Sequence, residues 1–299
     1  MGPGPLGKIA AELNDALAKR TLDGGLGRLT ARVLAEGPGW SVSDVLCTAG
    51  PHDRSFEERH PHFFIGLVVA GTFQYHSASG CALLTPGSLM LGNAEQCVEC
   101  RHEHGTGDRC LSFAYDPEYF GRLASSGGAR GRPLFQGLRV PALPALSALV
   151  ADACAALSGA PRIGWEELSV HVAAQSVQLA HGLGSESRPV PSNSEAAVAG
   201  AVRTIERHPD APLTLASLAQ EARLSPYHFL RMFERVTGVT PHQYVLRTRL
   251  RNAAMQLSEG SARVLDVAFD CGFSDVSNFH HAFRKEFGVS PRVYQVRSA

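Results

Sequence analysis

Five side chains able to ligate a soft or borderline metal lie within fourteen residues: Cys97, Cys100, His102, His104 and Cys110, in CVECRHEHGTGDRC. Thiolate and imidazole are donors that zinc favours, and mixed S/N ligation also suits thiophilic ions such as Cu(I). If residues 95–104 form a strand, Cys100, His102 and His104 share one face at i, i+2, i+4, and Cys97 points away. Cys110 would arrive across the Gly-Thr-Gly-Asp turn (105–108). The expected site is a closed S₂N₂ zinc centre of Cys100, His102, His104 and Cys110, with Cys97 as a redox thiol available for exchange with Cys100. The competing reading is a half-buried strand with incidental thiols. No function in the chain requires a cofactor, so zinc is an option rather than a necessity.

A second constellation repeats. FLRMFERVTGVTPHQY (229–244) and FHHAFRKEFGVSPRVY (279–294) align at an offset of 50, matching Phe229/Phe279, Phe233/Phe283, Gly238/Gly288, Pro241/Pro291 and Tyr244/Tyr294. Upstream, LASLA (215–219) matches LDVA (265–268) with the offset slipping by one inside the turn. Each copy reads as a short helix, a tight turn and a second helix. In the first, Leu215, Leu218 and Ala219 are expected to be buried, Ser225-Pro226 caps the second helix, and Gly238 stops it. In the second, Ser274 or Asp275 supplies the cap. Phe229, Phe233 and Val236 form one buried stripe, and Phe279, Phe283 and Phe287 the other. The opposite faces carry Tyr227, His228, Arg231 and Arg235, then Val276, Ser277, His280, His281 and Arg284. A helix-turn-helix places its second helix in a DNA major groove, and a connecting helix over 241–258 spans roughly 27 Å at 1.5 Å per residue. Such a spacer sets two reading helices about one DNA turn (~34 Å) apart.

These sites need positioning elements. Segments 63–77, 81–93 and 109–116 are short, apolar or aromatic and divided by Gly and Pro turns, which predicts an all-β barrel or sandwich over roughly 29–120. Residues 125–133 read as a loop. Over 144–157 and 165–183 the period becomes helical, with stripes such as Leu146, Leu149, Val150, Ala153 and Leu157 expected to hold a homodimer. SESRPVPSNS (185–194) reads as an extended linker. The expected division is a β-rich domain with its two helices (1–184), the linker (185–194) and a helical domain (195–299).

With 44% hydrophobic and 19% charged residues, 299 residues suffice for two cored domains. Basic and acidic groups balance at 28 each, yet residues 1–194 carry 15 basic and 18 acidic groups against 13 and 10 in 195–299. The helical part is thus modestly basic, as a polyanion-binding surface requires. No run of ~18 uncharged apolar residues crosses a membrane, no signal-peptide core opens the chain, and seven cysteines fit a reducing cytoplasm.

Residues 205–295, with RLRNAAMQL (249–257) and VLDVAFDCGFSDVSNFHHAFRKEFGVSPRVYQ (264–295), resemble the tandem helix-turn-helix domain of the AraC/XylS family of bacterial transcription regulators. The resemblance implies sequence-specific recognition of double-stranded DNA. By position it assigns base-facing roles to Tyr227, Leu230 and Arg231, then Val276, Ser277, His280 and His281, with Arg235 and Arg284 beside them. Leu230 and Val276 are apolar where such proteins often carry polar side chains, which suits contact with thymine methyls. His281 stands where Arg is frequent, making its contact dependent on imidazole protonation. The preceding region resembles the family's cupin-like sensor barrel with its dimerisation helices, giving an α+β chain overall. An activator of this kind also contacts RNA polymerase. His60 and His62 have the His-x-His spacing of metal cupins, but no Glu follows at the usual interval, so turn or surface histidines are expected.

Two other function classes compete with a plain regulator. A cupin-type oxygenase would need two His and a carboxylate on one face, and Glu99 and Glu103 fall on the wrong one. An alkylation sensor resembling the Ada regulator needs two spaced cysteine pairs near its start, which the chain lacks. No nucleophile triad, phosphate loop or nucleotide fingerprint is present, so a non-enzyme is expected.

Overall fold

The computed structural model describes residues 5–126, 134–180, 191–260 and 262–298, with side chains from Ile9 onward. Helix α1 (Pro5–Asp23) precedes nine strands: β1 (Leu29–Gly37), β2 (Trp40–Cys47), β3 (Phe56–Arg59), β4 (Phe63–Gly71), β5 (Phe73–Ser77), β6 (Gly80–Leu84), β7 (Leu89–Gly92), β8 (Cys97–Arg101) and β9 (Asp108–Tyr115). Then come α2 (Pro117–Ser126), the short strand β10 (Arg139–Val140), α3 (Ser147–Leu157) and α4 (Trp165–Ala180). The C-terminal part is helical: α5 (Ser192–Arg207), α6 (Leu215–Glu221), α7 (Pro226–Thr237), α8 (Pro241–Ser258), α9 (Val264–Asp270), α10 (Val276–Phe287) and α11 (Pro291–Ser298).

The strands build two antiparallel sheets, β1-β2-β9-β4-β7-β10 and β3-β8-β5-β6. Strand β4, FFIGLVVAG, is apolar along its whole length because both of its faces are covered. Phe64 and Val68 point between the sheets, where they meet Phe73, Tyr75, Leu84 and Val98. Phe63, Ile65, Leu67 and Val69 point the other way, into a core shared with α2, α3 and α4. The period of two thus divides one strand between two cores.

Helix α3 is where the fold departs from the expected dimer seam. Leu146, Leu149, Val150 and Ala153 are buried in this chain's own core beneath the six-stranded sheet. On its other side Ala151 packs with Leu250, Leu257, Phe279 and Phe283 of the helical domain. The stripes are therefore filled from within the chain and are not left for a second copy. The expected helix over 165–183 ends at Ala180, and residues 181–183 lie outside the described residues, as does 127–133 of the expected loop. Of the expected linker, residues 185–190 also lie outside them, while Ser192 already opens α5.

Both repeat units fold as read, and the one-residue slip falls in the turn. Helices α6 and α9 have seven residues each, α7 and α10 twelve, and the second turn is one residue longer. Leu215, expected inside, is 38% exposed, since it opens α6 at the protein surface.

Candidate nucleic-acid interface and sensor-domain sites

Helix α7 starts where the Ser225 side chain accepts from the His228 amide, with Pro226 at the first helical position, and ends at Gly238 in the left-handed conformation. Helix α10 is capped by Asp275, whose carboxylate accepts from the Ser277 and Asn278 amides, and ends at left-handed Gly288. Phe229, Phe233, Phe279 and Phe283 are fully buried and anchor each helix to its unit. Phe287, the last of the second expected stripe, is only partly buried.

What remains outside is polar and cationic. Tyr227, His228, Arg231 and Arg235 on α7 are exposed, as are Ser277, His280, His281 and Arg284 on α10. The Arg231 guanidinium lies 5.8 Å from the Tyr227 ring centroid, so one aromatic plane supports the cation's approach. Leu230 and Val276 are half-buried at the edges of these faces. The linking helix α8 runs over Pro241–Ser258, the span read from the sequence.

In the barrel, the expected zinc ligands separate. His102 is buried and its Nε2 lies 2.7 Å from Asp108 Oδ1. The Cys110 thiol donates to Asp108 Oδ2 at 3.2 Å. His104 lies past the end of β8, and its Nε2 is 3.5 Å from Ser192 Oγ. Strand β8 stops at Arg101, so the i, i+2, i+4 face does not extend to residue 104. Cys100 packs against the barrel core while Cys97 is exposed; three residues apart on one strand, they project from opposite faces and cannot exchange as one disulfide. In place of His104 the fold supplies Cys47 from β2, which pairs directly with Asp108 of β9. Cys47, His102 and Asp108 offer ligand atoms all within 4.8 Å of one another, and all three residues are buried. Burial, then the charge of Asp108, pushes the Cys47 thiol up to about 12, and the same two causes raise Cys110. Sequence reasoning missed Cys47, 50 residues upstream of the cluster; only the strand pairing reveals it. His60 and His62 each bind their own carboxylate, Glu58 at 2.7 Å and Asp116 at 2.9 Å, as surface pairs.

The two halves meet along a polar seam. Arg203 of α5 donates to the His104 carbonyl. Within the helical half, Arg251 of α8 grips Glu206 of α5 through two 2.8 Å contacts, and Tyr244 and Thr248 donate to the same carboxylate; the Tyr244 hydroxyl also reaches across to the Pro86 carbonyl at 3.4 Å. Glu286 of α10 accepts from Ser147 of α3 and lies 3.4 Å from Arg247. Between α1, the rim of β4, α5 and α8 lies a cavity of about 440 Å³, lined by Leu13, Leu17, Val69, Arg203, Arg207 and Gln256 among others.

The chain matches an AraC-like ligand binding domain over residues 45–188 and a helix-turn-helix domain over residues 218–297. It is similar to the probable transcriptional regulator LumQ of Photobacterium leiognathi, 42% identical over 91 residues, which is 30% of this chain and 37% of that protein. It is likewise 42% identical over 76 residues to the transcriptional activator RhaS of Escherichia coli O139:H28, covering 25% of this chain and 27% of the relative. The chain thus spans about a third of the length of the curated relatives it matches. Among solved structures, a DNA-binding transcriptional dual regulator from Escherichia coli K-12 is 27% identical, over 38% of this chain and 97% of that one, with a TM-score of 0.32. No helix among the described residues is long and apolar enough to cross a membrane. With a ligand-binding barrel joined to two capped helix-turn-helix units, the chain belongs to the AraC family of transcription regulators.

Proposed function

We propose that this protein binds double-stranded DNA through α7 and α10, each in one of two successive major grooves, and regulates transcription in response to a signal received by its barrel. The observation that carries this reading is the division of labour on both helices. Each buries its phenylalanines and turns a cationic and hydrogen-bonding face outward. Tyr227, Leu230 and Arg231 read bases in one groove; Val276, Ser277, His280 and His281 read the next; Arg235 and Arg284 hold the flanking phosphates. A homodimer would place two such pairs on an operator. Since the stripes of α3 and α4 are filled within the chain, that dimer forms through other surfaces. An activating version also touches RNA polymerase.

The signal acts where the halves meet. The seam cavity joins α1 and the barrel to α5 and α8; Arg203 and Arg207 line it beside Glu206, whose carboxylate is taken up by Arg251, so its wall is cationic on balance. A small molecule with an anionic group suits that wall, and its binding would change how α5 is held.

The test is selection of bound sequences from a random DNA pool, followed by footprinting of variants. Arg231→Ala should weaken binding by roughly 1–3 kcal/mol if it reads a guanine, with protection lost on one side of the footprint. His281→Ala should lose protection one turn away. Footprints unchanged by both substitutions overturn the assignment.

A further inference from the structure

The buried polar cluster at the end of the barrel is not needed by the DNA-reading face, and its chemistry is specific. Cys47 stands directly opposite Asp108 in the β2–β9 ladder, so their side chains share one face. His102 arrives from just beyond β8 and meets the same carboxylate at 2.7 Å. The three donors come from three separate places in the chain, all within 4.8 Å of each other and all shielded from water. Zinc bonds of about 2.0–2.3 Å in a tetrahedron put donors roughly 3.3–3.8 Å apart. The His102–Asp108 contact must therefore open by somewhat more than half an ångström, and the Cys47 thiol, within 4.8 Å of its partners, must close by no more than about 1.3 Å. Both are rotamer-scale adjustments. The second Asp108 oxygen accepts from the Cys110 thiol at 3.2 Å, which holds the carboxylate in place.

We infer that Cys47, His102 and Asp108 form a binding site for one zinc-class divalent cation, with the Cys110 thiol orienting Asp108 from behind, and that its occupancy is transmitted to α5. The ligand set is soft enough to prefer zinc over magnesium or calcium, which want oxygen alone. Loading displaces the Cys47 thiol proton to solvent and leaves a Cys-His-Asp shell with the fourth position open to water; His102, binding through Nε2, carries its proton on Nδ1. The transmission route is short. His102 and Asp108 bracket the β8–β9 turn, and within that turn the His104 carbonyl accepts from Arg203 of α5. Thr106 of the same turn lines the seam cavity beside Arg203. Drawing His102 and Asp108 onto a cation reshapes the turn against which α5 rests.

The site stands on its own geometry; only its transmitted effect rests on the proposed DNA-binding role. The experiment uses the full chain, stripped with chelator, loaded with zinc chloride and desalted. One equivalent should remain per chain, and cobalt(II) in its place should show a thiolate-to-metal charge-transfer band. Cys47→Ser and Asp108→Asn should each abolish the band with near-ultraviolet circular dichroism unchanged. Cys110→Ser should weaken binding by about 10–100-fold, the usual loss when a supporting group is removed. The surface pair Cys81→Ser/Cys97→Ser should change nothing. Less than about a tenth of an equivalent in the unaltered chain, or a band that survives in Cys47→Ser and Asp108→Asn, overturns the site and leaves a buried His–Asp hydrogen bond. Affinity for the selected DNA should differ at least about 5-fold between stripped and loaded protein. Equal affinities overturn the transmission, whereas no DNA binding in either form overturns the proposed function and leaves the cation site standing.

Discussion

Arg139, on the short strand at the barrel edge, donates through one nitrogen to the carbonyl of Val236, in the last turn of α7. The same nitrogen donates to the Leu83 carbonyl at 2.8 Å. A buried cation thus sits on the negative end of a helix dipole, where it satisfies a carbonyl that the helix itself leaves open. Arg139→Met keeps the aliphatic stem and removes the charge. Hydrogen bonds to a charged group contribute about 1.5–3 kcal/mol, so stability should fall by that much. Amide exchange should quicken first in the last turn of α7 and in β6. Unchanged exchange there would show that the contact holds nothing.

The two helix-stopping glycines offer a natural comparison. Gly238 and Gly288 have nearly equal φ, +77° and +75°, and occupy equivalent places in the repeat. A Cβ on Gly288 meets open space, whereas one on Gly238 falls 2.5 Å from Pro141 Cγ of the barrel domain. Alanine in this conformation costs about 1–2 kcal/mol for backbone reasons at either site. Gly288→Ala should show that cost alone. Gly238→Ala should show it plus the loss of docking, visible as faster proteolysis at the seam. Equal melting temperatures for the two variants would contradict the packed contact.

Core and reading face should respond in opposite ways. Phe233→Ala or Phe279→Ala removes a fully buried ring and should cost about 3–5 kcal/mol, lowering the melting temperature before any binding is measured. Arg231→Ala and His281→Ala change exposed side chains and should leave the unfolding free energy within about 0.5 kcal/mol of the parent while weakening DNA binding. Thermal scans beside binding isotherms separate the two classes.

Acid should act through Asp44. Burial pushes its carboxyl upward, but hydrogen bonds and charge from Arg109, then Arg32, outweigh that and hold it below its ordinary 3.8. A carboxyl depressed on folding contributes stability that is complete above its unfolded value and disappears as pH falls through the folded one. Arg109 also binds Glu12 and the Ile9 carbonyl of α1, so the pair pins the first helix to the sheet. Asp44→Asn should therefore destabilise the chain at neutral pH, by less than the ~3–5 kcal/mol of a buried cation left with no partner, because Glu12 stays on Arg109. The difference from the parent should shrink as the pH falls below 3.8. A penalty independent of pH would assign the loss to packing.

The helical domain was legible because its signals are local: caps, stop glycines and phenylalanines at helical spacing recur 50 residues apart, and each settles within one turn. The barrel was legible as alternating short strands for the same reason. The cation cluster was only half legible. His102 and Cys110 lie in one dense stretch, but Cys47 reaches them through strand pairing, which depends on register and leaves no local trace. His104 fell away because β8 ends three residues before it. The role of α3 was misread for a related reason, since an apolar stripe states that something covers it and is silent on what. Helix α5 escaped notice because the Pro-rich run before it looked like a continuing linker.

Helix α3 has one further consequence. With Leu149 in the barrel's core and Ala151 in that of the second helix-turn-helix unit, the two halves share a wall. A chimera that replaces either half would have to carry an α3 matched to both cores, because its two faces close each of them.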